Sequence, residues 1–204
     1  MTPDNIKLIN ADCMDIMAQY EDNYFDLAIV DPPYGIGISS NPVRQQHKKK
    51  HWDNSIPNKE YFLELNRISK NQIIWGGNYF LNHLKNTQCF LIWDKKQPFN
   101  FSLAMCEMAW TSFSKPAKIF TRSVLKEQNK IHPTQKPTAL YDWIYKNYAE
   151  QGQKILDIHL GSGSNAISAY YFGVGEFVGI ELDKEYFDAA CKRVDEQTNQ
   201  LKLF

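Results

Sequence analysis

Seven residues, Asp31-Pro32-Pro33-Tyr34-Gly35-Ile36-Gly37, gather a carboxylate, two prolines and an aromatic ring in one short stretch. Each proline ring fixes φ, so the backbone there is nearly rigid. The Asp31 carboxylate and the Pro32 carbonyl can then stand side by side as two acceptors, which suits an amino group with two N–H donors. Tyr34 adds a flat face on which a planar heterocycle can stack. Gly35 and Gly37 allow a ligand to approach bare backbone. The plain alternative is a strand-ending turn without chemistry.

A second constellation lies late in the chain. Lys154-Ile155-Leu156-Asp157-Ile158 reads as a strand running into Leu160-Gly161-Ser162-Gly163-Ser164. Glycines at a strand-to-helix turn let a ligand lie against a helix N-terminus. Glu181 ends a further strand, Phe177-Val178-Gly179-Ile180, about 20 positions past the glycine turn, where a nucleoside-binding α/β unit keeps its acceptor for ribose hydroxyls. A third stretch, Ile131-His132-Pro133-Thr134-Gln135-Lys136-Pro137, is too polar and too rich in proline for core or mid-helix. On its chemistry alone it is equally a rigid linker and part of a site.

These stretches need elements to hold them. Phe25 to Val30 is a short apolar run bounded by turn formers, and so a buried strand with Asp31 at its carboxyl end. Ligands bind at that edge of open α/β sheets. Ile6 to Asn10 predicts a strand, followed by a helix capped by Asp12 with Cys13, Ile16, Met17 and Tyr20 on one face. Asn58 caps a helix whose Tyr61, Phe62, Leu65 and Ile68 share a face. Gln72 to Trp75 and Cys89 to Asp94 are strands, with Asn78 and Asp94 as lesser candidates for a ligand pocket. Residues 107–113 and 117–120 suit a hairpin across Ser114-Lys115-Pro116. Helices follow from Thr138 (Leu140, Trp143, Ile144 and Tyr148 inward), after Ser164 (Ile167, Tyr170 and Tyr171 inward) and after Asp183 (Phe187, Ala190, Cys191 and Val194 inward). The expected fold class is α/β: a three-layer, Rossmann-like arrangement with a mostly parallel twisted sheet and helices on both faces.

The chain of 204 residues suits one domain over 1–204. Its 23 Lys plus Arg balance 23 Asp plus Glu, so any surface for nucleic acid must be local. Cys13, Cys89, Cys106 and Cys191 are scattered and form no metal-type pair, so no metal is expected and buried free thiols are. That usage, with no apolar run of spanning length and no signal-peptide core, fits a cytoplasmic protein without membrane contact. Residues 38–57 read as a mobile basic loop carrying Gln45-Gln46-His47-Lys48-Lys49-Lys50-His51 beside the platform. A solvated face is one reading of the lysines and a phosphate-contacting flap the other. Residues 114–131 read as a second, substrate-contacting loop region, with Arg122 as a nucleic-acid contact.

Asp-Pro-Pro-Tyr after an apolar strand resembles the catalytic motif of amino-methyltransferases that use S-adenosylmethionine (SAM) and act on nucleic-acid bases. His-Pro-Thr-Gln-Lys-Pro resembles a segment bordering the SAM pocket of the same enzymes. The order of motifs, catalytic before cofactor, is similar to the beta-class, circularly permuted DNA adenine-N6 and cytosine-N4 methyltransferases. The likeness spans nearly the whole chain, without a separate target-recognition domain, which leaves specificity to loops or a partner. It implies Asp31, Pro32, Pro33 and Tyr34 as catalytic residues. It implies Asp12, Cys13, Asp31, His132, Thr134, Gln135, Lys136, Asp157, His159, Gly161, Ser162, Gly163, Ser164, Glu181 and Leu182 around SAM, with Asp12 near its adenine. Ile158, His159 and Ser164 depart from the Pro, Phe and Thr usual in the family.

The resemblance also implies the chemistry: direct methyl transfer to an exocyclic amine, of adenine where Asp leads the motif, in duplex DNA with the base flipped out, as a modification enzyme. A second copy of the chain and a nuclease are further partners it allows. The rivals are the same reaction on cytosine or RNA, a non-catalytic nucleic-acid-binding subunit, and a Rossmann oxidoreductase, for which Asp-Pro-Pro-Tyr has no task. If the basic loop neutralises phosphates, replacing Lys48, Lys49 and Lys50 together with Ala should reduce the salt slope of DNA binding by about 0.9 for each phosphate no longer neutralised. An unaltered slope, from titrations at several salt concentrations, would make the loop a solvated face.

Overall fold

A computed structural model describes residues 2–37, 53–98, 100, 104–124 and 130–199. Residues 38–52 of the expected basic loop, with Lys48, Lys49 and Lys50, lie outside the described residues. Eight strands form one sheet: β1 (Ile6–Asn10), β2 (Phe25–Val30), β3 (Ser69–Trp75), β4 (Phe90–Asp94), β5 (Cys106–Thr111), β6 (Lys118–Thr121), β7 (Lys154–Asp157) and β8 (Glu176–Glu181). Their spatial order is β1-β8-β7-β2-β3-β5-β4-β6. All neighbours pair in parallel except β5, which runs antiparallel to both β3 and β4.

Alternation along the strands divides the core into two layers. Leu27, Ile29, Ile73, Trp75, Ile155 and Phe177 face one side, while Ala28, Val30, Ile74, Leu156, Val178 and Ile180 face the other. Both sides are covered, which is why the parallel strands read as near-continuous apolar runs. Helices α3 (Thr138–Tyr148), α4 (Ser164–Phe172) and α5 (Lys184–Thr198) close the first side through Leu140, Ile144, Ile167, Ala190 and Val194. Helices α1 (Cys13–Met17) and α2 (Lys59–Ile68) close the second through Met17, Tyr61, Phe62, Leu65 and Ile68. The expected caps hold: Asp12 accepts from the Met14 N–H, Asn58 from Tyr61, and Asp183 from Glu185 and Tyr186. The three-layer α/β class is thus the one observed.

Several local expectations are corrected. No hairpin joins 107–113 to 117–120: β4 lies between β5 and β6, paired antiparallel to the first and parallel to the second. The turn residues at 114–116 misled because both flanking strands found a better central partner in β4. For the same reason the region 114–131 is not all loop, since β6 occupies Lys118–Thr121. On α4, Tyr171 is exposed. On α5, Tyr186 takes the buried place expected of Phe187, which is half-buried. The four thiols are free, but only Cys89 among them is buried; Cys13 and Cys191 are half-buried and Cys106 is exposed.

The α2 face gives a direct test of the core. Leu65 is fully buried whereas Leu63, two residues earlier, is 56% exposed. Leu65→Ala should cost about 2–5 kcal/mol of stability, and Leu63→Ala should stay within about 0.5 kcal/mol. Urea unfolding of both variants checks the assignment.

Candidate active site

At the edge where β2, β3, β4 and β7 end, Asp31 follows directly on β2. Its Oδ1 accepts from the Tyr34 hydroxyl at 2.6 Å, and its Oδ2 is paired with the Lys136 ammonium. Lys136 also lies 3.0 Å from Glu107 Oε2, whose other oxygen is 2.5 Å from Lys95 Nζ. Four alternating charges therefore run Lys95–Glu107–Lys136–Asp31 through the rim of the sheet. Burial pushes the Asp31 carboxyl up, with the Glu107 charge adding to it and Lys136 opposing. The two ammonium groups beside Glu107 overcome the same burial and hold its carboxyl down at about 2.

Tyr34 is seated by its neighbours. Its ring stacks on Tyr79 with centroids 5.0 Å apart and 17° between planes. Gly76, at φ +71°, lies against the ring; a Cβ there would come within 2.2 Å of it. Gly35 and Gly37 also take positive φ. They do not open the backbone to a ligand: the Gly35 N–H donates to Asp53 Oδ1, the Gly37 N–H to the Asp53 carbonyl, and Ile56 packs where a Gly35 side chain would go. The glycines thus serve a left-handed turn tied down by buried Asp53.

Two cavities meet on this platform. The first, of about 500 Å³, is lined by Asp31, Pro32, Pro33 and Tyr34 together with Tyr79, Asn78, Trp93, Lys95 and Glu107. The second, of about 510 Å³, lies over the carboxyl ends of β7 and β8 and is lined by Gly161, Ser162, Ser164 and Glu181. Asp31, Pro33, Thr134, Gln135 and Lys136 line both and form the wall between them. A reactant in one cavity can therefore meet a reactant in the other across a single carboxylate.

The second cavity takes in most of the residues expected around a nucleoside cofactor. Asp12, Cys13, His132, His159 and Leu182 line it as well. Asp157 and Gly163 do not. Asp157 lies beneath, 2% exposed, accepting from the His159 N–H and from Asn165 Nδ2, and burial pushes its carboxyl up to about 7. Gly163 opens α4 at φ +73° and faces Val194 of α5, which a Cβ would approach to 2.8 Å. Glu181 accepts from the Gly161 and Asp183 N–H groups at 2.9 and 3.0 Å, which fixes its carboxylate at the cavity edge. His159, in the place of the family's Phe, has Nδ1 3.5 Å from the Tyr61 hydroxyl, and burial holds its imidazole neutral with a pKa of about 3. Burial raises the Cys13 thiol to about 11. His132 packs edge-on against the Tyr186 ring, 4.3 Å away, and accepts from the Thr134 N–H.

Other candidates fall outside the cavities. Asp94 accepts from the Lys96 N–H in its own turn. Arg122, just past β6, is held by its backbone to Asp94 and Trp93 and does not line the first cavity, whereas Val124 and Lys130 do. Sequence reasoning missed Glu107, Lys95, Asp53 and Gly76. A charged residue opening the apolar run of β5 was the available sign of Glu107; nothing local marks Lys95. Among the described residues no group of His, Cys, Asp and Glu is arranged for a metal, and no helix is long and apolar enough to cross a membrane.

Comparison with known proteins adds to this geometry. Residues 85–192 match a family model described as DNA methylase, of the N6/N4 methyltransferase type. The chain is 26% identical to the type II methyltransferase M2.MboI of Moraxella bovis, over 97% of this chain and 90% of that protein. Among solved structures, the M1.HpyAVI–SAM complex superposes with a TM-score of 0.64 at 21% identity, covering 93% of this chain and 99% of that one. The cytosine-N4-specific PvuII DNA methyltransferase gives 0.66 at 12% identity, covering 98% and 93%.

The seat of Tyr34 can be tested by itself. Gly76→Ala combines a left-handed backbone, costing a non-glycine residue about 1–2 kcal/mol, with a collision against the ring. It should lower stability in urea by at least that amount and displace Tyr34 from Asp31 in a crystal structure. Unchanged stability and an unmoved ring would show that the contact is not a constraint.

Proposed function

The chain belongs to the DNA methylase family of N6/N4 type, and from that premise we propose that it transfers the methyl group of SAM to the exocyclic amine of adenine in DNA. The observation that carries the reading is the shared wall: Asp31 and Pro33 border both the cavity suited to a base and the cavity suited to a nucleoside cofactor.

The residues of the second cavity fit SAM. Glu181 presents two oxygens to a ribose diol, Asp12 and exposed Leu182 flank the space for adenine, and the turn at Gly161 offers bare backbone to the methionine part. When bound, SAM supplies an electrophilic methyl group on a sulfonium. The chain's own work is to bind, orient and accept. The exocyclic amine of a base is a weak nucleophile because its lone pair is delocalised into the ring. Asp31 and the Pro32 carbonyl would accept its two hydrogens and favour a pyramidal nitrogen, with the lone pair turned toward the wall and the second cavity. Tyr34, braced by Tyr79, would stack the base once it has left the duplex, which offsets part of a flipping cost of about a few kcal/mol. Placing both reactants in adjoining cavities supplies rate by proximity and orientation. The Cys13 thiol, pushed up to about 11 by burial, stays protonated at neutral pH, and a thiol is a poor nucleophile. Adenine is preferred over cytosine because Asp leads the motif. Contacts to the DNA backbone and any reading of sequence would fall to the segments 38–57 and 114–131, of which the described residues Asp53, Val124 and Lys130 line the first cavity.

Incubating plasmid DNA with the protein and SAM, then measuring modified nucleosides by mass spectrometry, tests the reading. N6-methyladenine is expected; N4-methylcytosine would overturn the base assignment, and SAM binding without any methylation would overturn the transfer. Asp31→Ala should abolish transfer while SAM binding, measured by calorimetry, survives; loss of SAM binding together with a collapsed fold would mark Asp31 as structural. Tyr34→Ala should cost about 1–3 kcal/mol of base binding.

A further inference from the structure

Resting on the reading above, the geometry points to a further role: we propose that Glu107 is a positioning residue that receives the Lys136 ammonium when the target amine takes its place on Asp31. Each oxygen of the Asp31 carboxylate already serves one donor before any base arrives. Asp31 Oδ1 accepts from Tyr34 at 2.6 Å and Oδ2 is taken by Lys136. An entering amine must share that carboxylate, on the lone pairs that remain, with an ammonium that draws on the same negative charge. Tyr34 is seated against Gly76 and braced by Tyr79. Lys136 is the donor with a second carboxylate, Glu107, within reach.

Shifting the ammonium into an apolar space would leave a buried charge unpaired, which is prohibitive. Glu107 removes that cost. Its Oε2 stands 3.0 Å from Lys136 Nζ, and among the described residues no other donor serves that oxygen. Its Oε1 is held at 2.5 Å by Lys95, so the carboxylate cannot follow the ammonium and collapse onto Asp31. The two carboxylates thus compete for one ammonium. A small displacement of Nζ from Asp31 toward Glu107 loosens its hold on the acceptor while the ammonium itself stays paired. Lys95 and Glu107 have no other task in the transfer chemistry, yet both line the first cavity.

The test compares wild type, Glu107→Gln, Glu107→Asp and the double variant Lys95→Met with Glu107→Gln, which restores charge balance if the single Gln variant folds poorly. Without the second carboxylate, Lys136 stays on Asp31. Turnover and kcat/KM for DNA should then fall at least about tenfold in Glu107→Gln, equivalent to about 1.4 kcal/mol, while SAM affinity by calorimetry is unchanged. The double variant should show the same loss, and Glu107→Asp should recover part of the activity.

The pH profile provides a readout that a merely structural residue would not move. The groups facing the Asp31 carboxyl are Lys136, Glu107, Tyr34, Tyr61, Tyr141 and, from below, Asp157. Glu107 raises the Asp31 pKa, so removing its charge should shift the acid limb of kcat/KM to lower pH. Wild-type turnover in Glu107→Gln with an unmoved acid limb would overturn the proposal, as would full recovery in the double variant, which would reduce the effect to charge balance. If the wild-type protein methylates no DNA at all, the functional reading itself fails, a result distinct from either of these.

Discussion

The parallel pairing of β2 with β7, Leu27 opposite Ile155 and Ala28 opposite Leu156, is the constraint on which the site depends. Two parallel neighbours end at the same edge of the sheet. The chain then leaves them in opposite directions: β7 runs into α4 on one face, and α2, the next helix after β2 among the described residues, packs on the other. Divergence of this kind opens a crevice at the carboxyl edge, and ligands bind there. Asp31 stands on one lip and the glycine turn on the other, so one lip carries acceptors for an amine and the other bare backbone for a cofactor. A one-residue slip between β2 and β7 would turn every side chain of one strand to the wrong layer. Register is thereby set by the two packed cores and not by the site itself.

The electrostatics of the rim follow from the same edge. A carboxylate buried enough to be selective and still ionised needs a partner, and Lys136 supplies it. That pair by itself would tie up the acceptor the chemistry needs. Adding Glu107 and Lys95 keeps the sum of charges at zero while spreading the ammonium's attraction over two carboxylates. Breaking such a buried set by removing one member typically costs about 3–5 kcal/mol, because the remainder is left uncompensated. The antiparallel insertion of β5 is what delivers Glu107 to this place: running against its neighbours, it brings its beginning, and not its end, to the carboxyl edge.

That reversal also explains what could and could not be read from the sequence. Asp31 was legible because Pro32 and Pro33 end a strand wherever they occur, and Glu181 because its distance from the glycine turn is a property of one βαβ unit. The caps Asp12, Asn58 and Asp183 were legible because capping is local. Glu107 was not, since its role needs β5 to pair between β3 and β4, a choice made by tertiary packing; locally, the turn at 114–116 argued for a hairpin with β6. Gly76 was not legible either, since its reason for being glycine is the Tyr34 ring, 42 positions earlier in the chain. Asp157 and Gly163 carried the right neighbourhood and the wrong depth: one sits under the cavity floor, the other between two helices.

Chain order matters less to this architecture than the motif order suggests. β7, which begins the cofactor half, lies inside the sheet between β8 and β2, and the first strand, β1, pairs with β8, near the other end of the described chain. Each doubling of the loop to be closed adds only about 0.6 kcal/mol, so a sheet can take its strands in this order at small thermodynamic cost. Geometry at the edge is blind to where the chain was cut. What cannot be divided is the wall between the cavities: Asp31 comes from the end of β2, Thr134 to Lys136 from the segment before α3, and the cavity they share with Gly161 exists only when β7 lies beside β2. Neither half of the chain contains a site that the other merely improves, because Asp31 and Pro33 come from one and Thr134, Gln135 and Lys136 from the other, and all of them line both cavities.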